Sequence, residues 1–146
     1  MHKLIPPVLV AIIVLLMICL HFVSPTVVIS SPLKYGGSLF IILGLLMAKK
    51  VSIRFNEADT EIHTFKRPRR LVTDGLFRYT RNPIYLAFVI ALVGVNIVLG
   101  SVLPISGVIL FILIANMWYI PYEEKVMEQQ FGEAYKRYKN KVRRWL

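Results

Sequence analysis

Four apolar segments, each close to the length needed to cross a lipid bilayer, constrain the fold of this chain more than any other feature. A transmembrane helix needs about 20 mostly apolar residues. Because the bilayer core offers the backbone no hydrogen-bond partners, such segments must be helical. The sequence therefore predicts a single all-α domain over 1–146, a polytopic transmembrane bundle with about four spans at 4–23, 33–48, 83–99 and 102–120.

Nearly all of the charged residues lie in two segments, 49–81 and 123–144. All eight acids lie there, as do all 18 Lys and Arg residues except Lys3 and Lys34. Basic residues in short segments between apolar spans indicate the cytoplasmic side of a membrane protein, and they suit membrane lipids with anionic headgroups. With four spans, both termini share that side. We expect an integral protein of an inner or plasma membrane with both termini cytoplasmic.

The net charge of +10 could instead suggest a nucleic-acid-binding protein. The sequence contains no alternation of aromatic and basic residues and no reader motif of that class, so we expect no nucleic-acid partner. Cys19 is the one cysteine in the chain, which excludes an intrachain disulfide and argues against a thiolate metal site. We therefore predict no metal centre.

Two segments outside the spans carry structural signals. The cytoplasmic loop 49–82 begins with residues that can extend the second helix beyond the membrane, over about 51–61. The tail 122–146 predicts a basic amphipathic helix at the membrane interface. That helix could anchor the protein, or it could form a lid over the cytoplasmic mouth of the bundle. Its aromatic stripe consists of Phe131, Tyr135, Tyr138, Val142 and Trp145.

Small residues in the second span predict close helix packing, because Gly lets two helix backbones approach each other in lipid. The candidates are Gly36, Gly37 and Gly44.

The stretch 71–85, LVTDGLFRYTRNPIY, is polar and turn-rich although it adjoins an apolar helix. Pro83 is suited to the first turn of that helix, which makes Asn82 the expected N-cap. Backbone amides at the helix start, the helix dipole and the guanidinium of Arg81 would together form an anion site. Tyr85 adds a ring and a hydroxyl less than one turn further on.

Glu123 and Glu124 supply the opposite charge where the fourth span ends. Their carboxylates could bind ribose hydroxyls or an ammonium group, and the neighbouring aromatic side chains could contact a cation or a flat ring. The combination fits a zwitterionic cofactor with a cationic centre, such as S-adenosylmethionine. An ordinary interfacial arginine with surface ion pairs explains the same residues. The neighbouring aromatic residues are Trp118, Tyr119 and Tyr122.

The stretch LVTDGLFRYTRNPIY and the later YEEKVMEQQFGEAYKRYKNKV resemble the isoprenylcysteine carboxyl methyltransferase family and its phospholipid methyltransferase relatives, over about 63–142. The resemblance implies a membrane methyltransferase that uses S-adenosylmethionine from the cytosol and a lipophilic acceptor from the bilayer. His63, in a loop of variable length, could also be a plain loop histidine. By matching position, the resemblance implies a cofactor site made of His63, Leu71, Val72, Phe77, Asn82, Pro83, Tyr85 and Glu123.

Two positions depart from the pattern that the resemblance implies. Asn82 stands where many members have His, and it keeps the hydrogen bonding without the charge. Tyr119 stands where the carboxyl methyltransferases place a substrate-handling arginine, and the stretch 105–124 contains no Arg or Lys. A carboxylate acceptor would therefore lack its expected counter-charge, and the sequence leaves open whether the acceptor is a carboxylate, an amine or a hydroxyl. For an amine or hydroxyl, Tyr119 or Glu124 could act catalytically by removing the proton.

Two other functions fit parts of the pattern. The chain could be a non-enzymatic transporter subunit or scaffold that uses its charged segments for docking. It could also be a nicotinamide-dependent lipid reductase of related fold, although it is short for that class and has no evident additional basic site for the extra phosphate.

Overall fold

A computed structural model of the chain describes residues 4–23, 29, 31–60 and 68–146. All of its regular elements in these ranges are helical, which confirms the predicted all-α class. In chain order they are α1 (Pro6–Val23), α2 (Ser31–Glu57), a short 3-10 helix (Gly75–Arg78), α3 (Pro83–Leu99), α4 (Ile105–Ile114), a π-helical turn (Ala115–Tyr119) and α5 (Ile120–Lys141).

Three helical stretches are long and apolar enough to cross a membrane: Pro6–Val23, Pro32–Glu57 and Ile105–Lys141. The fourth apolar helix, α3, has 17 residues. At about 1.5 Å per residue it is about 25 Å long, slightly shorter than the roughly 30 Å hydrocarbon core of a bilayer. Many large apolar side chains of α1 and α2 are exposed, as in a helix that faces lipid. The architecture is that of a helical transmembrane bundle.

Glycines bring α2 and α3 into backbone contact. A Cβ atom added to Gly37 would lie 2.6 Å from the carbonyl oxygen of Gly94, and one added to Gly44 would lie 2.6 Å from that of Ala87. Side chains at these positions would push the helices apart. The predicted small-residue packing is correct for Gly37 and Gly44. It is wrong for Gly36, since a Cβ atom added there would have no neighbouring helix within 4 Å among the described residues.

The helix of the fourth span does not end where the tail begins, near 120–122, but continues into the tail. The π turn joins α4 to α5 in one continuous helix, and the N–H of Ile120 donates to the carbonyl of Ala115, five residues back. Pro121 has no N–H, and its ring would clash with a carbonyl four residues back in a regular α-helix. The wider π turn directly before it lets the chain continue, and the helix carries Glu123 and Glu124 out of the apolar bundle.

The tail changes direction at Gly132, where φ is 49° and ψ is −124°. A residue with a Cβ rarely adopts this conformation. The helix resumes, ends at Lys141, and gives way to extended backbone at Val142. The prediction of one helical face over the whole tail is therefore wrong beyond Lys141. Val142 and Trp145 still pack against the apolar clusters, but from backbone beyond the end of the helix.

Two apolar clusters stabilise the fold. The first lies inside the bundle and includes Met17, Tyr85, Leu92 and Phe111. The second is formed almost wholly by apolar residues of the two charged segments, and it joins α2 and the loop after it to the tail. The tail tyrosines are buried in the second cluster, so the tail packs against α2 and the loop after it, while its roles as an anchor or as a lid both stay predictions. The buried members of the second cluster are Val51, Val72, Phe77, Tyr135 and Tyr138.

Candidate functional site

An open cleft lies where the first turn of α3, the start of α5 and the loop before α3 meet. Its empty volume, including the open mouth, is about 870 Å³. One wall is polar and the other is aromatic and apolar. The cleft brings together eight of the predicted site residues: Val72, Phe77, Arg81, Asn82, Pro83, Tyr85, Glu123 and Glu124.

Tyr85 and Glu123 connect the two helices at the cleft. The Tyr85 hydroxyl donates a hydrogen bond of 2.8 Å to Oε1 of Glu123. Tyr85 is only 1% exposed. Pro83 begins α3 and thereby fixes the helical turn from which Tyr85 reaches across. A carboxylate separated from Tyr85 by 38 positions along the chain is thus held at the cleft.

Glu124, the other acid, lies in a cluster of basic groups. Nη2 of Arg81 and Nη2 of Arg144 each donate to it over 2.9 Å, and Nζ of Lys139 lies 3.5 Å away. Burial raises the pKa of the Glu124 carboxyl, but the hydrogen bonds from Arg144 and Arg81 outweigh this effect and hold its pKa below the usual range. An ionised, strongly paired carboxylate is a weak base. The geometry therefore favours a structural role for Glu124 over the predicted proton removal.

Arg81 binds this cluster to the end of the tail. Its Nη1 donates to the carbonyls of Lys139 and Val142, over 2.8 and 2.7 Å. Its backbone N–H donates to the carbonyl of Arg143 over 2.9 Å. Only Nε of this guanidinium is buried without a hydrogen-bond partner among the described residues. The donors that were predicted to grip an anionic ligand are therefore largely used by the protein itself.

Asn82 occupies the predicted N-cap position of α3, but its side chain makes no capping hydrogen bond. The reason is a competing partner, since Nδ2 donates to the carbonyl of Arg144 over 3.0 Å. The hydroxyl of Thr80 donates to the same carbonyl over 3.1 Å. The loop at the start of α3 is thus hydrogen-bonded to the extended end of the tail.

The aromatic wall is built by the 3-10 helix and the tail. The Tyr138 hydroxyl donates to the carbonyl of Phe77 over 2.8 Å, and the ring of Phe55 contacts that of Phe77 edge to face at 5.4 Å. Burial, with the nearby Glu124 carboxylate, raises the pKa of Tyr135 to about 12. Both tail tyrosines of the cleft therefore stay neutral at physiological pH, since burial also raises the pKa of Tyr138.

Three predicted residues are not among those that line the cleft. Tyr119 is buried in the bundle, where its ring stacks on Tyr85 at 6.1 Å and its hydroxyl donates to the carbonyl of Leu4 over 2.8 Å. A proton-accepting role for Tyr119 has no support from this position. Leu71 packs against the second apolar cluster. His63 lies outside the described residues, so its role stays a prediction.

Two further aromatic residues that were predicted to contact the cofactor, Trp118 and Tyr122, also lie outside the cleft. Trp118 is 76% exposed on the surface of the helix, and Tyr122 is 36% exposed. Neither lines the cleft.

Several cleft residues were missed by the sequence reasoning. Tyr135 and Tyr138 had a signal, since they belong to the aromatic stripe of the tail. Arg70 had none, because it is one arginine within a basic segment. The same holds for Arg144, which does not line the cleft but pairs with the cleft residue Glu124. Arg144 reaches Glu124 only because the tail turns back after Lys141.

Comparison with known proteins identifies a family that the sequence of this chain matches. Residues 33–134 match the phospholipid methyltransferase family. Over 110 residues the chain is 32% identical to protein-S-isoprenylcysteine O-methyltransferase B of Arabidopsis thaliana, covering 73% of this chain and 55% of that protein. It is 29% identical over 130 residues to protein-S-isoprenylcysteine O-methyltransferase of Schizosaccharomyces pombe, covering 85% of this chain and 54% of that protein.

A shorter relative matches more closely. An uncharacterized protein of Haemophilus influenzae is 47% identical over 62 residues, which cover 42% of this chain and 98% of that protein. The chain spans about half the length of the named methyltransferases that it matches.

The matches favour the methyltransferase prediction over the transporter-subunit, scaffold and reductase alternatives. The matched range runs from the start of α2 to the tail and contains the described residues of the cleft up to Met127, whereas Tyr135 and Tyr138 lie just beyond it. The chain belongs to the phospholipid methyltransferase family, a family of integral membrane methyltransferases.

Proposed function

We propose that this chain transfers a methyl group from S-adenosylmethionine to a lipophilic, membrane-resident acceptor at the cytoplasmic face. The observation that carries the proposal is the position of Glu123. Tyr85 holds its carboxylate at the edge of a cleft between the apolar bundle and the charged segments. The relatives named as protein-S-isoprenylcysteine O-methyltransferases support the reaction class.

The residues of the cleft fit the chemistry of this donor. S-adenosylmethionine carries an ammonium group and ribose hydroxyls that a carboxylate such as Glu123 can bind. It also carries a flat adenine ring that suits the aromatic wall formed by Phe77, Tyr135 and Tyr138. When bound, the donor supplies an electrophilic methyl group on its sulfonium.

The protein would contribute position and exclusion of water more than acid–base chemistry. The fixed Tyr85–Glu123 pair orients the donor, and the apolar wall keeps water away from it. Neither Tyr119 nor Glu124 offers an unpaired basic group. The site therefore suits an acceptor that is already nucleophilic, or one that loses its proton to solvent.

Calorimetric titration of the purified protein in detergent tests the donor assignment. Glu123→Gln keeps an oxygen for the Tyr85 hydroxyl but removes the charge, and we expect S-adenosylmethionine to bind at least about ten-fold more weakly. Glu133→Gln is the matched control, because Glu133 is on the same helix and pairs with Lys136 at the surface. Equal affinity in the two variants would contradict the assignment. Reduced nicotinamide dinucleotide phosphate should not bind.

A further inference from the structure

Arg70 lines the cleft. Helix α2 continues from Lys49 to Glu57, about 12 Å at 1.5 Å per residue. Arg70 is hydrogen-bonded to Thr60, which follows the end of this extension. A ligand group near Arg70 therefore comes from the aqueous phase more readily than from the bilayer.

The end of α2 fixes the backbone of Arg70. The N–H of Thr60 donates to the carbonyl of Phe55, and that of Asp59 donates to the carbonyl of Asn56. With Asp59 at a φ of 46°, this is the Schellman arrangement that closes helix ends. The hydroxyl of Thr60 then accepts the N–H groups of Arg69 and Arg70, over 2.9 and 3.1 Å.

The two neighbouring arginines differ in their partners. Arg69 forms an ion pair with Asp59 at 3.5 Å, outside the cleft. The side chain of Arg70 lines the cleft and forms no ion pair with another described residue. The other arginine that lines the cleft, Arg81, is occupied by Glu124 and by backbone carbonyls.

We propose that Arg70 binds the carboxylate of the methionine moiety of the donor. This inference rests on the proposed function, since it concerns the same cleft. A zwitterionic donor needs a cation for its carboxylate as well as an anion for its ammonium group. Glu123 supplies the anion, and Arg70 supplies a cation whose guanidinium fork forms no ion pair with the residues that the structure describes. Arg81, predicted from the sequence for this role, is instead part of the wall.

Calorimetry with two ligands tests the proposal on the full chain in detergent. Wild-type protein should bind S-adenosylmethionine about ten-fold more tightly than its decarboxylated analogue, which lacks the carboxylate. Arg70→Gln should lose this preference by weakening the S-adenosylmethionine complex and leaving the complex with the analogue unchanged. Arg70→Lys should restore part of the preference. Arg69→Gln, the matched control, should behave as wild type.

Three results would overturn the proposal. Arg70→Gln could weaken both ligands equally, or it could leave both unchanged. It could instead change only the KM for the lipid acceptor, which would assign Arg70 to the acceptor. If the wild-type protein binds neither ligand, the proposed function itself is wrong, and the inference about Arg70 falls with it. This outcome is distinguishable from the three above, in which the wild-type protein does bind S-adenosylmethionine. Thermal unfolding of Arg70→Gln should match that of Arg69→Gln, since neither side chain belongs to an apolar cluster.

Discussion

The hydroxyl of Tyr85 lies 2.8 Å from Oε1 of Glu123 and joins the first turn of α3 to the start of α5. The bond fixes a carboxylate at the point where the apolar bundle ends and the charged segments begin. Tyr85 also stacks on Tyr119, so the position of Glu123 depends on packing inside the bundle.

Replacing Tyr85 with Phe removes this hydrogen bond and keeps the buried ring. A net hydrogen bond of about 1 kcal/mol corresponds to a five- to ten-fold effect. We expect S-adenosylmethionine to bind about five- to ten-fold more weakly, measured by calorimetry, with little change in melting temperature. Tyr79→Phe is the control, because Tyr79 is 71% exposed. A Tyr85→Phe protein with wild-type affinity would show that the bond does not position Glu123.

Arg144 stabilises the buried Glu124, so its loss should destabilise the fold. Arg144→Ala removes a charged donor 2.9 Å from Oε2 of Glu124, and we expect a loss of about 1 to 3 kcal/mol. Arg143→Ala removes an adjacent charge whose side chain is exposed, and the backbone carbonyl that binds Arg81 remains. Denaturant unfolding in detergent should separate the two variants. Equal stability would mean that the Arg144–Glu124 pair contributes nothing.

The same carboxylate predicts how stability depends on pH. The pKa of Glu124 is lowered in the folded protein from its ordinary value of 4.5. A group with a depressed folded pKa stabilises the fold fully above its unfolded pKa, and this contribution is lost as pH falls through the folded pKa. The melting temperature should therefore fall as pH drops below about 4.5. Glu124→Gln, although less stable at pH 7, should show a shallower fall. An unchanged acid slope in that variant would contradict the assignment.

Gly36 and Gly37 offer a matched pair for testing the contact between α2 and α3. A methyl group at Gly37 would lie within 2.8 Å of backbone atoms of α3, whereas one at Gly36 would meet nothing within 4 Å in the part of the chain that the structure describes. We expect Gly37→Ala to cost about 1 to 3 kcal/mol through overpacking. Gly36→Ala should be neutral or slightly stabilising. Thermal unfolding measures both, and similar melting temperatures would disprove close packing at Gly37.

The sequence was a good guide to the helices, because their signals are local. The length of each apolar run, Pro83 at the start of α3 and Gly100 at its end are readable without tertiary information, and α3 has the predicted bounds. The continuity of α4 and α5 was not readable. A proline such as Pro121 normally predicts a helix boundary. Here the helix continues through it because a π turn comes directly before it.

The candidate site was predictable in its composition but less so in its contacts. The spacing of Asn82, Tyr85 and Glu123 identified residues that do line one cleft. The partners of Arg81 depend on the path of the tail. That path is set by the positive φ of Gly132 and by the extended backbone after Lys141, and no periodic pattern in the sequence predicts either conformation. For the same reason Arg144 and Arg70 could not be told from other arginines of the basic segments.

Transfer of a labelled methyl group measures the proposed activity most directly. The full chain, reconstituted in lipid vesicles with a total lipid extract, is incubated with S-adenosylmethionine labelled on its methyl group. We predict that label appears in the organic-soluble fraction with the wild-type protein, at about the same rate with Glu133→Gln, and at a rate at least about ten-fold lower with Glu123→Gln. Labelling by Glu123→Gln at the wild-type rate, or no lipid labelling by the wild-type protein, would contradict the proposed function.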